Sequence, residues 1–451
     1  MAQNILQQMT IAVENLSVVR NVGRVLGVHG GTVQVGGVGD SATVGDRARV
    51  FSDTREIAGE VVRLDSNGTH VLLVGALDGV CLGNRVVFER PPVFAPDASW
   101  IGRVIDPDGR PLDGAPLLPG TVPRRMRADP PSPHQRRAMG ARLETGLAAF
   151  NTLLPIVQGQ RIGLFAGSGV GKSTLLADLA RGVTADVIVI ALVGERGREV
   201  RHFVEAVLGV EGMKRAVIVA ATSERAPQVR RRCAWAATAV AEHFRDEGKQ
   251  VLLMIDSVTR FCEAHREVAI AGGEVANLRG FPASTGPAIA ALCERAGPGA
   301  DDAGDITAVF SVLVAGSDMD EPVADMLRGV LDGHVVLDRE IAERGRFPAI
   351  DVLRSVSRSL PDAATPQENA LIGQARAHLG AYARSELMIQ SGLYSAGSDP
   401  KLDAAIACVP ALDQFLSIND GRESLAHFAK LRQAMNTAVH KMKQDDLGAG
   451  S

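Results

Sequence analysis

Three hydropathy regimes follow one another along the chain. Over residues 23–89, short apolar runs are broken by glycines and polar turn residues, as in Thr32-Val33-Gln34-Val35, Ala48-Arg49-Val50-Phe51 and residues 59–64, 70–74 and 84–88. Many short strands at close spacing predict a small β-barrel or sandwich. Over residues 162–358 the apolar runs lengthen and lose their alternation, at 187–193, 216–220, 251–255 and 306–314, with helix-compatible stretches between them. Strands apolar on both faces belong to a mainly parallel sheet covered by helices. After Pro366 the pattern is helical, over 367–390, 402–418 and 421–443, interrupted by the turn Gly397-Ser398-Asp399-Pro400. Between the first two regimes lie Pro91-Pro92, a turn-rich stretch at 102–114, and a basic connector at 124–137. The connector's Pro130-Pro131-Ser132-Pro133 cannot be helix interior.

Composition narrows the class. A chain of 451 residues is long enough for two or three domains with sizeable cores. A net charge of -4 gives no polybasic footprint for nucleic acid. The 5 cysteines are scattered, odd in number and without a CxxC pair, which points to a reducing cytoplasm. No apolar run approaches the ~20 residues of a membrane span. The first twenty residues lack the basic and apolar blocks of a secretory leader. Contact with a membrane is therefore expected to be peripheral. Within that segment Ile5, Met9, Ala12 and Leu16 have amphipathic helical spacing.

The chemistry centres on Ala166-Gly167-Ser168-Gly169-Val170-Gly171-Lys172-Ser173-Thr174. An apolar strand pattern precedes this run and a helical one follows, the setting of a phosphate-binding P-loop. Glycines let the backbone wrap a polyphosphate closely, and successive N–H groups plus the helix N-terminus hold its charge. Lys172 is expected on the β- and γ-phosphates of ATP, and the Ser173 hydroxyl on Mg²⁺. Ala166 stands where such loops usually have their first glycine. The apolar run 251–255 ends on Asp256, the placement of an acid that holds Mg²⁺ in P-loop enzymes. Gly194-Glu195-Arg196-Gly197-Arg198-Glu199 follows another strand pattern, and ligands bind at the carboxyl ends of strands in open α/β sheets. Glu195 is placed to polarise an attacking water. On these residues alone a surface salt-bridge cluster fits the run equally well.

The P-loop, Gly194-Glu195-Arg196 and Ser355-Val356-Ser357-Arg358 together resemble the catalytic-subunit family of rotary ATP synthases. Within that family the chain is most similar to the flagellar and type III secretion export ATPases. The stretches that carry this are Gly102-Arg103-Val104-Ile105 with Gly109-Arg110-Pro111-Leu112-Asp113-Gly114, Asp256-Ser257-Val258-Thr259-Arg260-Phe261, Glu294-Arg295-Ala296-Gly297, the run 318–325, Leu331-Asp332-Gly333-His334-Val335-Val336-Leu337, Phe347-Pro348-Ala349-Ile350-Asp351 and Tyr394-Ser395-Ala396-Gly397-Ser398-Asp399-Pro400.

The resemblance implies an α/β fold with a RecA-like P-loop ATPase core, an N-terminal small β-barrel and a C-terminal helical domain. Expected boundaries are 1–20 for a partner-binding segment, 21–91 for the barrel, 92–362 for the ATPase domain and 363–451 for the helices. It implies MgATP hydrolysis energising flagellar protein export, by a hexameric ring with sites between subunits, at the cytoplasmic face of the inner-membrane export apparatus. Carried over by position, Lys172 and Ser173 bind phosphate and Mg²⁺, Glu195 activates water, and Arg196 supports the γ-phosphate. Asp256 is the Mg²⁺-linked acid, Phe347 stacks on adenine where relatives often have tyrosine, and Arg358 is an arginine finger given to the neighbour. Implied partners are further copies of the chain, a stator-like regulator on residues 1–20, export-gate membrane proteins, export substrates and chaperones.

The alternative is an injectisome ATPase of the virulence type. A non-catalytic nucleotide-binding subunit conflicts with Glu195, and an RNA-translocating hexameric helicase conflicts with the missing basic RNA platform. Residues 271–286 depart from the family's proline-rich loop. The short C-terminal region lacks the acidic lever of a synthase subunit.

Overall fold

The computed structural model describes residues 20–38, 42–53, 55–314 and 319–448. Ile5, Met9, Ala12 and Leu16 of the expected partner-binding segment lie outside the described residues, as does Asp318. In chain order the barrel region contributes β1 (Asn21–His29), β2 (Thr32–Gly36), β3 (Arg47–Phe51), β4 (Glu56–Asp65), β5 (Gly68–Leu73) and β6 (Arg85–Glu89). These close into an antiparallel barrel in the order β1-β2-β5-β4-β3-β6. Alternation along each strand puts one face inward, so that Val33, Val35, Val50, Val61, Val71 and Val86 fill the interior. Branched side chains suit that pleated surface. The turn between β1 and β2 is Gly30-Gly31, with φ of 51° and 88°, a two-residue hairpin that needs positive φ at both positions.

The chain continues through β7 (Val104–Ile105), β8 (Arg161–Ala166), β9 (Val187–Glu195), β10 (Ala216–Thr222) and β11 (Val251–Asp256). Then come the hairpin β12 (Ala276–Leu278) and β13 (Phe281–Pro282), followed by β14 (Ile306–Leu313), β15 (Gly333–Leu337) and β16 (Ile350–Ser357). The chain forms two compact units that do not follow chain order. One comprises residues 1–131, 187–247 and 253–295, and the other 132–186, 248–252 and 296–451.

The first unit holds the barrel and a parallel array in which β10 lies between β9 and β7. The helix Pro227–Asp246 covers it and is buried along most of its length. Ala234, Ala236, Ala237, Ala239 and Ala241 allow its close approach, and the Cys233 thiol donates to the Val219 carbonyl at 3.2 Å. Buried Glu60 of β4 accepts from Arg231 at 3.1 Å and from Arg232, both on this helix. A carboxylate left alone at that depth would be strongly destabilising, so the two guanidiniums fix the barrel to the helix.

In the second unit β8 runs parallel between β14 and β15, and β16 lies antiparallel beside β15. Three helices follow: Pro366–Gln390, Pro400–Leu416 and Ser424–Gly448. The first starts at a capping box in which Thr365 and Glu368 satisfy each other's backbone N–H. The short helix Ala148–Asn151 is tied to them. Asn151 donates to the Arg422 carbonyl at 3.0 Å, and Glu144 accepts from the Ser424 N–H at 2.7 Å. Among the described residues, no helix is long and apolar enough to cross a membrane.

Candidate functional site

The P-loop joins β8 to the helix Lys172–Gly182 in the second unit. β8 is buried from Ile162 to Ala166 because both its neighbours are strands and both its faces are covered. The loop is pinned at its entrance, where the Ala166 carbonyl accepts from Val314 N at 3.0 Å, and in its middle by buried Val170. Ser168 and Gly169 are left exposed. Gly169 and Gly171 have φ of 78° and 88°, a region that favours glycine. Gly171 is the N-cap of the helix and makes no side-chain cap. The first amides therefore have no side-chain capping partner at Gly171 and can face an anion. A Cβ at Gly169 would meet nothing within 4 Å, and one at Gly167 only the Val314 carbonyl at 3.6 Å, so the cradle is open.

Phe347 precedes β16 and is 51% exposed. β16 pairs with β15 from Leu337↔Ile350, and Leu337 pairs with Ala166, so Phe347 stands at the P-loop end of the sheet. Its base is held by Arg346, whose Nη2 donates to the Ile350 carbonyl at 2.8 Å and whose Nε lies 3.3 Å from Asp413. Burial lowers the Arg346 pKa, with the Asp413 charge opposing.

Arg358 follows the other end of β16, where Ser357 pairs with Gly333. The side chains alternate sharply there. Ser355, Ser357 and Ser359 are buried while Arg358 is exposed. The Ser357 and Ser359 hydroxyls donate to the Pro155 carbonyl at 2.6 and 3.2 Å, and Arg358 Nη2 donates to the Arg328 carbonyl at 3.4 Å. The register puts Arg358 beside the start of β8 and the P-loop at its end. Those ends are five residue steps apart, about 17 Å of strand.

The carboxylates belong to the first unit. Asp256 closes β11 and is 5% exposed. Ser257 caps the helix Val258–Ala271 by accepting from Arg260 N. Glu195 ends β9 half-buried, and its carbonyl accepts from Ser223 N at 3.0 Å. Gly194 before it has φ of 68°, and a Cβ there would touch the Arg260 side chain at 3.5 Å. Arg196 is exposed, 3.9 Å from Glu199. The Glu199 pKa is lowered, first by a hydrogen bond with the Glu195 side chain, then by the Arg196 N–H and the Arg196 and Arg198 charges. Glu195 and Glu199 thus present neighbouring carboxyl groups at the end of β9.

The residues present fit a nucleotide with Mg²⁺. The cradle is open, Gly171 places no side-chain cap on the helix N-terminus, and the Ser173 hydroxyl is a hard oxygen donor of the kind that suits Mg²⁺. Sequence reasoning missed two features. Arg260 lies one turn beyond Asp256 and reaches back under Gly194, and its one sequence signal was that spacing. The support of Arg358 by Asp332, Arg161 and Gln160 had no local signal, because Gln160 and Arg161 lie some 170 to 200 positions before the residues they bond, and Asp332 itself lies 26 positions before Arg358.

A glycine-rich loop at the end of a strand flanked by parallel strands, opening into a helix, defines the P-loop nucleotide-binding class. Residues 146–357 match the nucleotide-binding domain of the ATP synthase alpha/beta family, and residues 364–437 match the type III secretion EscN ATPase C-terminal domain. A flagellum-specific ATP synthase of Caulobacter vibrioides is 42% identical over 420 residues, covering 91% of this chain and 95% of that protein. The assembled ATPase EscN of the enteropathogenic E. coli type III secretion system is 36% identical, with a TM-score of 0.84 over 92% of this chain and 100% of that one. EscN in complex with its central stalk EscO gives a TM-score of 0.81 at 36% identity, with the same coverage. The chain belongs to the ATP synthase alpha/beta family, among its flagellum-specific and type III secretion ATPases.

Proposed function

We propose that the chain hydrolyses MgATP to energise flagellar protein export, as a ring whose sites are completed across subunit boundaries. One observation carries the shared site. Arg358 lies about 17 Å of strand from its own P-loop, farther than an arginine side chain spans. Its exposure between two buried, clamped serines suits presentation to another subunit.

In this reading the loop Gly167–Thr174 binds the phosphates, Lys172 holds the β- and γ-phosphates, and Phe347 stacks on the base. Ser173 and Asp256 hold Mg²⁺, which neutralises developing phosphate charge. Glu195 orients the attacking water and takes its proton, with the Glu199 carboxyl group beside it. Arg196 steadies the γ-phosphate region. Arg358 of the adjacent subunit stabilises the transition state.

The likeness to assembled EscN and to EscN with its stalk supports an oligomer with a regulatory partner. Hexameric stoichiometry, a stator-like partner on residues 1–20, and cytoplasmic work against export-gate proteins, substrates and chaperones are part of the same proposal. The EscN likeness equally favours an injectisome setting as the second reading.

The test mixes two inactive proteins. Lys172→Ala lacks a working P-loop and Arg358→Ala lacks the finger, so mixed rings contain interfaces with both intact. ATPase activity above the sum of the separate variants is expected. Mixed rings without such activity would mean that the arginine is not shared.

A further inference from the structure

Arg358 is exposed, yet the backbone beneath it is fixed by an unusual convergence on one residue. Asp332 precedes β15, with its side chain 15% exposed. Its carbonyl accepts from Arg358 N at 3.0 Å and from Gln160 Nε2 at 3.2 Å. The same Gln160 amide reaches Ser357 Oγ at 3.1 Å, and Gln160 is fully buried. The Asp332 carboxylate is taken bidentately by Arg161, Nε at 2.9 Å and Nη2 at 3.0 Å, with the Arg161 backbone N–H adding a third bond at 3.0 Å. The Asp332 N–H returns a bond to the Arg161 carbonyl at 2.9 Å. Beside it, Gly333 leaves no room for a side chain, since a Cβ would stand 2.6 Å from the Val356 carbonyl.

We propose that Asp332, clasped by Arg161 and Gln160, is the positioning residue that sets Arg358 for the neighbouring subunit's nucleotide. Arg161 and Gln160 stand at the start of β8, the strand whose far end is the P-loop. A planar fork on a carboxylate fixes direction as well as distance, which a single contact does not. The finger is therefore referenced to the strand that carries the subunit's own phosphate site. Asp332 touches no substrate and acts only through Arg358. The inference rests on the shared-site reading above.

Asp332→Ala in the full chain should lower kcat about 10- to 100-fold, the scale of a displaced catalytic group, while nucleotide affinity stays unchanged. That loss is smaller than the ~10³- to 10⁵-fold expected for removing the finger itself. Mixing with Lys172→Ala should restore activity, because the defect travels with the arginine donor and spares the P-loop. Mixing with Arg358→Ala should restore none. Asp332→Asn, which keeps an acceptor for Arg161, should fall between wild type and Asp332→Ala.

Wild-type turnover by Asp332→Ala would overturn the assignment. So would failure of Lys172→Ala to rescue it while Arg358→Ala is rescued, since the damage would then lie in its own P-loop. If Arg358→Ala is not rescued either, the shared site falls and this inference with it. Should Asp332→Ala not fold, Arg161→Lys keeps the charge, loses the fork and carries the same mixing test with the same outcomes.

Discussion

The Phe347 ring stands 3.4 Å from the point that a Cβ on Gly171 would occupy, so the last glycine of the P-loop and the base-stacking aromatic define each other's space. Gly171 also has φ of 88°, which a side chain adopts only under strain of about 1 to 3 kcal/mol. Gly171→Ala would let the loop relax in the free protein, and nucleotide binding would then have to restore the strained form. Affinity for ATP should fall roughly tenfold, the equivalent of about 1.4 kcal/mol. Titration with a fluorescent nucleotide checks this. Unchanged affinity would mean that the loop tolerates a side chain and that Phe347 does not bound it.

Glu195→Gln keeps the shape of the side chain beside Glu199, but an amide cannot take a proton from water. Loss of general-base catalysis is worth about 10²- to 10⁴-fold in turnover. Steady-state hydrolysis should fall by that amount, with nucleotide binding retained. If turnover persists, Glu199 is the base, and Glu199→Gln should then show the larger loss.

His265 gives a pH dependence with a definite sign. It is 8% exposed, its Nε2 lies 2.9 Å from Ser284 Oγ, and its ring stacks on Phe261. Burial, and then the Arg231 charge, lower its pKa from 6.5 to about 4, with Glu274 opposing and Arg127 adding a smaller push downward. Between pH 6.5 and 4 the unfolded chain therefore binds a proton that the folded one does not. Stability from this group is complete above pH 6.5, declines as pH falls, and levels off near pH 4. The full decline is on the order of 3 kcal/mol. His265→Gln retains a partner for Ser284 without titrating, so thermal melts across this window should show a shallower slope than wild type. Equal slopes would exclude His265 as a contributor.

Much of this was legible in sequence, for reasons that particular residues make plain. The P-loop and the runs at 187–193, 216–220 and 251–255 were readable because glycine spacing and unbroken apolarity are local signals. They became β9, β10 and β11 with ends shifted by one or two residues. β15 and β16 were not read from periodicity. His334, Asp351, Arg354 and Ser355 break their apolar pattern, and strand pairing makes them strands. The hairpin within residues 271–286 was hidden because β12 and β13 are only 3 and 2 residues long. Arg358 was found through resemblance alone. Its meaning depends on which end of a sheet it occupies, and no local spacing encodes that. Asp332 and Arg161 pair across 171 positions, beyond the reach of any pattern along the chain.

The separation between Arg358 and its own P-loop has a consequence for dilution. A site completed by a neighbour exists only in the assembled form, so specific activity should rise with protein concentration until assembly saturates. Site occupancy by ATP sets a separate dependence, removed by working at saturating nucleotide. Under those conditions the wild-type rate should climb faster than linearly with total chain. Residual turnover by Arg358→Ala should instead scale linearly, because its remaining catalysis comes from Lys172, Glu195 and the loop amides of single subunits. The two curves together separate a shared arginine from an oligomer that merely stabilises each subunit. In the second case Arg358→Ala would show the same upward curvature at a lower rate. Measuring turnover over a wide protein range, with assembly followed by light scattering on the same samples, decides between them. Parallel curvature in both proteins would place the catalytic arginine within its own subunit, against the strand register that sets it about 17 Å away.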